Sequence, residues 1–336
     1  MKSKIVIGLW LAALPAAFGQ NVRLSAAGAT FPYPIYSKWF NEFEKVHSGT
    51  QINYQSIGSG GGIRQLTEGT VDFGASDKPL SNEQAGKLKT KALHFPTVLG
   101  AVVPTYNVPG VSSDLRFSGD VLASIFLGTI TKWNDPALVK LNPKVKLPAD
   151  DIVVVHRSDG SGTTFVFADY LAKVSPAWKA KIKPDTSINW ATGIGAKGNE
   201  GVAGMVRQTP HSIGYVELIY ALQNKMNYGV MKNASGAFVK ADLASVTAAA
   251  AGAASSLPED FRVSITNAPG AGAYPISTFT WLLIPSKISD PSKKKAVTDF
   301  LHWMLTKGQS YTQSLGYAPL PAPVVTKETN AIALIK

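Results

Sequence analysis

The sequence predicts an α/β protein built as two lobes around a largely parallel sheet, and three observations carry that prediction. The chain has 336 residues, 45% hydrophobic and 16% charged, which is more than one ordinary domain uses. Short β-rich runs alternate with amphipathic helical patterns along its length. Four strand–loop–helix junctions share one chemistry, three of them before residue 80 and the fourth near residue 157. Ligands of open α/β sheets bind beyond the carboxyl ends of strands, so this spacing predicts two lobes contributing to one cleft.

The chain begins MKSKIVIGLWLAALPAAFGQ, with two lysines, an apolar stretch from Ile5 to Leu14, Pro15 and then small residues. This is the pattern of a secretory signal peptide, residues 1–19, cleaved near Gly19 or Gln20. The apolar stretch is short for a membrane span, and no later segment reaches about 18 apolar residues. The chain has no cysteine, so it offers neither a disulfide framework nor a lipid-anchoring cysteine at the cleavage site. An exported, freely diffusing periplasmic protein is expected.

The first junction, VRLSAAGATFPYPIYSKWFNEF, is a short strand leading through Gly28 into a helix with Ile35, Trp39 and Phe43 on one face. Prolines are tolerated at that helix's start. In QINYQSIGSGGGIRQLTEG, a strand from Ile52 ends in a glycine loop, Gly58 to Gly62, before a short helix that stops at Gly69. In TVDFGASDKPL, alternating Val71, Phe73 and Ala75 make a strand whose end presents Ser76 and Asp77. In DIVVVHRSDGSGTTFVFADYLAKV, the buried run Ile152 to Val155 ends at Arg157, and the following helix carries Phe167, Leu171 and Val174 on one face. Further on, the alanine-rich stretch 241–256 predicts an exposed helix of high intrinsic propensity. NVPG (107–110) and NAPGAGAYP (267–275) read as surface connections.

The formal charge of +11 falls by two, to +9, when Lys2 and Lys4 leave with the signal. Such a charge fits a nucleic acid, an anionic surface or a small anion. No basic run carries interleaved aromatics, and Lys293–Lys295 reads as a solvated first helical turn, so nucleic acid is not an expected partner.

The string RSDGSGTTF (157–165) combines a guanidinium, glycines and hydroxyls at a helix start. Backbone N–H groups there donate to anions, glycines allow close approach, and Arg157 can make a two-pronged contact to an oxyanion. Asp159 is placed to orient that guanidinium. Taken alone, the nine residues fit an ordinary capped helix beside a surface arginine equally well. Asp77 sharpens the reading, because an acid among anion donors repels the ligand unless the ligand brings a proton. Inorganic phosphate does so across the neutral range and sulfate does not. Sites built on such a bond reject the analogue lacking it by about 10⁴ to 10⁵. Asp77 could instead cap the segment starting at Pro79 or pair with Lys78.

Other motifs are weaker. Gly193, Gly195 and Gly198 in GIGAKG, with Glu217 following, match the dinucleotide pattern, but TSINWAT before them is no hydrophobic strand. No P-loop string and no nucleophile elbow occurs. His47, His94, His156, His211 and His302 are dispersed, so neither a metal site nor a Ser-His-Asp arrangement has support. No cofactor is expected.

Taken together, GATFPYPIYSKW, YQSIGSGGGIRQL, VDFGASDKPL, FPTVLGAVVPTYN, FLGTITKWNDP, RSDGSGTTFVFADYL and IGYVEL closely resemble the periplasmic phosphate-binding proteins of Pst ABC transporters. The likeness runs in order from about Leu24 to the C-terminal region and is weaker between about 225 and 270. It implies a two-lobe periplasmic binding-protein fold (type II), each lobe a central mixed sheet flanked by helices, with the ligand in the cleft. Lobe one would take 20–100 and 277–336, and lobe two 101–276. By the same resemblance, phosphate would be held by Thr30, Phe31, Ser59, Asp77, Arg157, Ser161, Gly162 and Thr163, with Asp159 pairing with the arginine. His156, Gly60 and Lys78 vary the neighbourhood. The resemblance implies a monomeric, non-enzymatic receptor that delivers phosphate to a membrane permease with its ATPase. The rivals are a receptor for another oxyanion such as sulfate or molybdate, a secreted phosphatase, and an adhesin or scavenger.

Overall fold

The computed structural model describes residues 21–254 and 257–336; the expected signal peptide, 1–19, lies outside the described residues. The chain opens with β1 (Val22–Gly28), α1 (Tyr33–Val46), β2 (Thr50–Ser56), α2 (Ser59–Glu68), β3 (Phe73–Ser76), α3 (Asn82–Gly86) and the long β4 (Ala92–Asn107). There follow β5 (Arg116–Phe117), α4 (Gly119–Phe126), α5 (Pro136–Leu141), β6 (Val153–Arg157), α6 (Gly162–Val174) and α7 (Pro176–Lys181). The run continues through β7 (Ile194–Ala196), α8 (Gly198–Gln208), β8 (Ser212–Glu217) and α9 (Leu218–Gln223). After β9 (Asn227–Tyr228), β10 (Val230–Lys232), β11 (Phe238–Val239) and α10 (Leu243–Ala254), the chain returns through β12 (Ser277–Pro285), α11 (Pro291–Leu305) and α12 (Ala322–Ala331).

The main sheet runs β2-β1-β3-β12-β4-β8-β6-β7, with β9 beside β4. It is mixed, not largely parallel. The outer pairs are parallel, as the strand–helix–strand units require, but β12 runs antiparallel to β3 and β4, and β4 antiparallel to β8. These two middle strands belong to no crossover unit. Strand β4 reads ALHFPTVLGAVVPTYN and is buried along nearly all its length, without alternation, because elements cover both its faces. Its Ala92–Ala101 stretch pairs with β12, while Val102–Asn107 pairs with β8. One continuous strand therefore joins two halves of the sheet.

Helix α1 buries Ile35, Trp39 and Phe43 as its periodicity requires, along with Tyr36 and Phe40. Trp39 and Trp281 are fully buried in one half, and Trp133 and Trp178 in the other. Each removes on the order of 200 Å² from water, and all four belong to one continuous hydrophobic core that runs through both halves. The alanine-rich helix α10 is not the exposed element its composition predicts. Val246, Ala249 and Ala250 are buried against β4 and β12, because side chains this small let the helix lie close to the sheet. The 267–275 connection is exposed over Pro269–Gly272, but Tyr274 is buried and donates to the Val102 carbonyl at 3.1 Å. Lys293 and Lys295 start α11 as expected, paired with Asp72 and Asp299.

Candidate functional site

The four junctions converge. The β2–α2 loop meets the β6–α6 loop backbone to backbone, the Gly60 N–H donating to the Gly160 carbonyl at 2.8 Å. A Cβ on either glycine would lie 3.0 Å from the other's Cα. A Cβ on Gly162 would overlap Ser59 Oγ and Asp77 Oδ2, so the α6 N-terminus seats directly against the two groups supplied by α2 and β3. Three further contacts tie the halves. Lys78 Nζ pairs with Asp185 at 2.5 Å, the Tyr220 hydroxyl donates to the Thr30 carbonyl at 2.6 Å, and Asn199 reaches Thr30 Oγ1 at 2.8 Å. The two halves are closed upon each other in this structure.

Asp77 is 1% exposed. Its Oδ1 accepts the Thr280 hydroxyl from β12 at 2.7 Å, its N–H donates to Ser59 Oγ at 3.1 Å, and Oδ2 has only a long contact, 3.5 Å, from Ser59. Burial pushes the carboxyl up to about 7, although Thr280, Arg157 and Ser59 pull the other way. Neither alternative role for Asp77 is realised, because Lys78 turns to Asp185 and the segment at Pro79 takes no cap from Asp77.

Arg157, 4% exposed, ends β6. Asp159 takes the Nε and Nη2 edge of its guanidinium at 2.7 and 2.6 Å. That leaves the Nη1 side, 3.4 Å from Thr163 Oγ1, facing the shared space. Burial opposes the charge on Arg157, yet the Asp159 carboxylate holds its pKa above the ordinary value. Burial likewise opposes charge on Asp159, and Arg157 overcomes it, so that carboxyl is held below the usual range. Asp159 also accepts the Gly198 N–H at 3.0 Å.

Ser161 caps α6, its Oγ accepting the Thr164 N–H at 3.0 Å, which leaves the hydroxyl proton to donate. The N–H groups of Gly162 and Thr163, in the first turn of a 13-residue helix, have no intrahelical acceptor. Thr30 and Phe31, between β1 and α1, are held by their carbonyls, which accept the Tyr220 and Tyr317 hydroxyls at 2.6 Å each. All eight predicted ligand residues and Asp159 thus share one buried region. The sequence reading missed their supports, Thr280, Tyr220, Tyr317, Asn199 and Tyr215, whose hydroxyl accepts the Arg157 N–H at 3.2 Å. Only Asn199 carried a signal, as the polar residue opening a helix after GIGAKG.

That glycine string follows no strand, since residues 186–192 form none and the short edge strand β7 lies within the string itself. The N-terminus of α8 is also occupied by the protein, Gly198 N–H bonding to Asp159 and Asn199 N–H to Thr30 Oγ1, so it does not present itself to a pyrophosphate. Among the described residues no cluster of three or more His, Asp or Glu could hold a metal, and no helix is long and apolar enough to cross a membrane. His94 Nε2 accepts the Leu80 N–H and His156 stacks on Trp190, both as structural members.

In chemical terms the site gathers four hydroxyls, free helix N–H groups and one guanidinium edge around a single acceptor. A two-halved α/β fold with such a donor-lined cleft defines the class of solute-binding receptors. A family model described as a PBP superfamily domain matches residues 15–307. The chain is 48% identical over 313 residues to the phosphate-binding protein PstS of Xylella fastidiosa strain Temecula1, covering 93% of this chain and 85% of that one. It is 45% identical over 327 residues to the PstS of Haemophilus influenzae, covering 97% and 96%. Among solved structures, a high-affinity periplasmic phosphate-binding protein bound with phosphate matches with TM-score 0.76 at 21% identity, over 92% of this chain and 93% of that one. A putative phosphate ABC transporter substrate-binding protein from Clostridium perfringens matches with TM-score 0.66 at 16% identity, over 89% and 100%. The chain belongs to the PstS family of phosphate-binding proteins within the PBP superfamily.

Proposed function

We propose that this protein is a periplasmic receptor that closes on inorganic phosphate and delivers it to an ABC-type permease with its ATPase. The observation that carries the reading is Asp77, a buried acid whose Oδ2 lies against the donor-bearing α6 N-terminus. The ligand such a site fits is an oxyanion that accepts from Thr30, Phe31, Ser59, Arg157, Ser161, Gly162 and Thr163 and donates one proton to Asp77. The printed names of the PstS relatives support phosphate as that anion, and family membership supports the permease as its destination. The lobes of this reading are 20–100 with 277–336 and 101–276, a division supported by the change of β4's partner from β12 to β8 at Ala101/Val102. Residues 1–19 export the chain, which acts as a monomer. Its action is binding without turnover: Ser59 Oγ and Ser161 Oγ accept backbone N–H groups, the role of a hydrogen-bond hub and a cap.

Calorimetric titration of the purified mature protein with phosphate, sulfate and a phosphomonoester at pH 8 tests the reading. Saturable heat with phosphate alone, and no hydrolysis of the ester, is expected. Equal affinity for sulfate overturns the role of Asp77, and ester turnover overturns the receptor reading.

A further inference from the structure

We infer that Asn199 is a positioning residue: on closure it captures the oxygens of Thr30 and Thr163 and so obliges both hydroxyls to donate toward the ligand. The inference rests on the phosphate-receptor reading and adds to it the means by which closure and donor orientation are coupled.

A threonine hydroxyl carries one proton and two lone pairs, and can face an anion either way round. In this site only one way is useful, because an anion's oxygens accept. Asn199 is fully buried at the start of α8. Its Nδ2 donates to Thr30 Oγ1 at 2.8 Å and to Thr163 Oγ1 at 3.2 Å, which uses both amide protons. Its backbone N–H adds a second bond to Thr30 Oγ1 at 3.3 Å. Thr163 Oγ1 likewise has a second donor, Arg157 Nη1 at 3.4 Å. Each threonine oxygen thereby has its lone pairs taken, and its single proton is left to point elsewhere.

The amide cannot turn over to undo this. Its Oδ1 accepts the backbone N–H of Glu217 at 2.9 Å, so a flip would set two N–H groups against each other there and forfeit that bond. Glu217 is held in turn as the cap of α9, its Oε2 accepting the Ile219 N–H at 2.8 Å. Thr30 stands on the β1–α1 loop, whereas Asn199 and Thr163 stand on the other side of the cleft, so the Thr30 contacts exist only when the halves are together. Opening releases the Thr30 hydroxyl to rotate; closing fixes it as a donor.

The test is a double-mutant cycle in phosphate affinity, read by calorimetry on the mature protein. Asn199→Ala is expected to weaken phosphate binding about tenfold in the wild-type background and only about threefold in Thr30→Val, where the stronger of its two contacts is already absent. A full tenfold loss persisting in Thr30→Val, or no loss in the wild-type background, overturns the inference. Should Asn199→Ala fail to fold by circular dichroism, Asn199→Asp replaces it, since that isostere keeps the bond to the Glu217 N–H. Its second oxygen accepts from the hydroxyls and turns them away from the ligand, so a loss of at least about 100-fold is expected, and wild-type affinity overturns the inference. Wild-type protein that shows no heat with phosphate overturns the receptor reading and this inference together, whereas wild-type binding with an additive cycle overturns this inference alone.

Discussion

Asp77 has two states with opposite consequences for selectivity. As a carboxylate it accepts the proton of a phosphate oxygen and repels an anion that has none. As a carboxylic acid it donates, and sulfate then meets a donor where it had met an acceptor. Burial lifts its carboxyl to about 7, so the change falls within an accessible pH range. The preference for phosphate over sulfate should therefore fall as pH drops from 8 to 5, and Asp77→Asn, fixed in one hydrogen-bonding state, should have a lower preference that no longer varies with pH. Calorimetric competition at several pH values measures both. The same shift has a stability signature. Between the ordinary carboxylate range and about 7 the folded protein holds a proton that the unfolded chain releases, so stability without ligand declines as pH rises through that window. Subtracting the melting temperatures of Asp77→Asn from those of wild type across pH 4 to 8 isolates the contribution. A flat difference would mean that the carboxyl titrates in its usual range.

At the scale of elements, the α6 N-terminus supplies both helix stability and ligand donors through one residue, Ser161. Ser161→Ala should cost about 1 kcal/mol of stability for the lost cap and about tenfold in phosphate affinity for the lost hydroxyl donor, read by urea unfolding and by titration. An affinity loss without a stability loss would show that the Thr164 N–H finds another acceptor. The four junctions were legible because their determinants are local: a strand, turn residues with hydroxyls or glycine, then a 3.6-residue period. Other elements were not. Helix α10 reads as an exposed alanine helix because burial of a small side chain leaves no mark in composition; only β4 and β12 passing beneath it bury Val246 and Ala250. Thr280 and Asn199 lie 203 and 169 residues from the Asp77 and Thr30 they contact, too far apart for spacing to reveal the contact. The tyrosines that hold Thr30 and Phe31 by their carbonyls were hidden for the same reason. The mixed order of the sheet was legible only through the resemblance and not in the residue patterns, since β12 takes its place between β3 and β4 although the whole second half separates it from them in sequence.

The whole molecule works by bringing two halves together over a ligand, and what limits that approach is backbone, not side chain. At Gly60 and Gly160 the two loops meet with a hydrogen bond of 2.8 Å and little room for a Cβ, which would stand 3.0 Å from the opposite Cα, backbone that can yield only by drawing the loops apart. Neither glycine adopts a left-handed conformation, so a side chain there strains nothing until the halves meet. Gly160→Val should accordingly leave the ligand-free melting temperature close to wild type while denying the closed state. Phosphate affinity should fall by at least about 100-fold, because a ligand stabilises a receptor only through the form it prefers. Small-angle scattering reads the cause directly. Wild-type protein should contract when phosphate is added, and Gly160→Val should keep its open dimensions at the same phosphate concentration. A Gly160→Val protein that contracts normally yet binds weakly would place the damage in the α6 donors next door, and the close approach of the two glycines would then not be what sets the limit of closure.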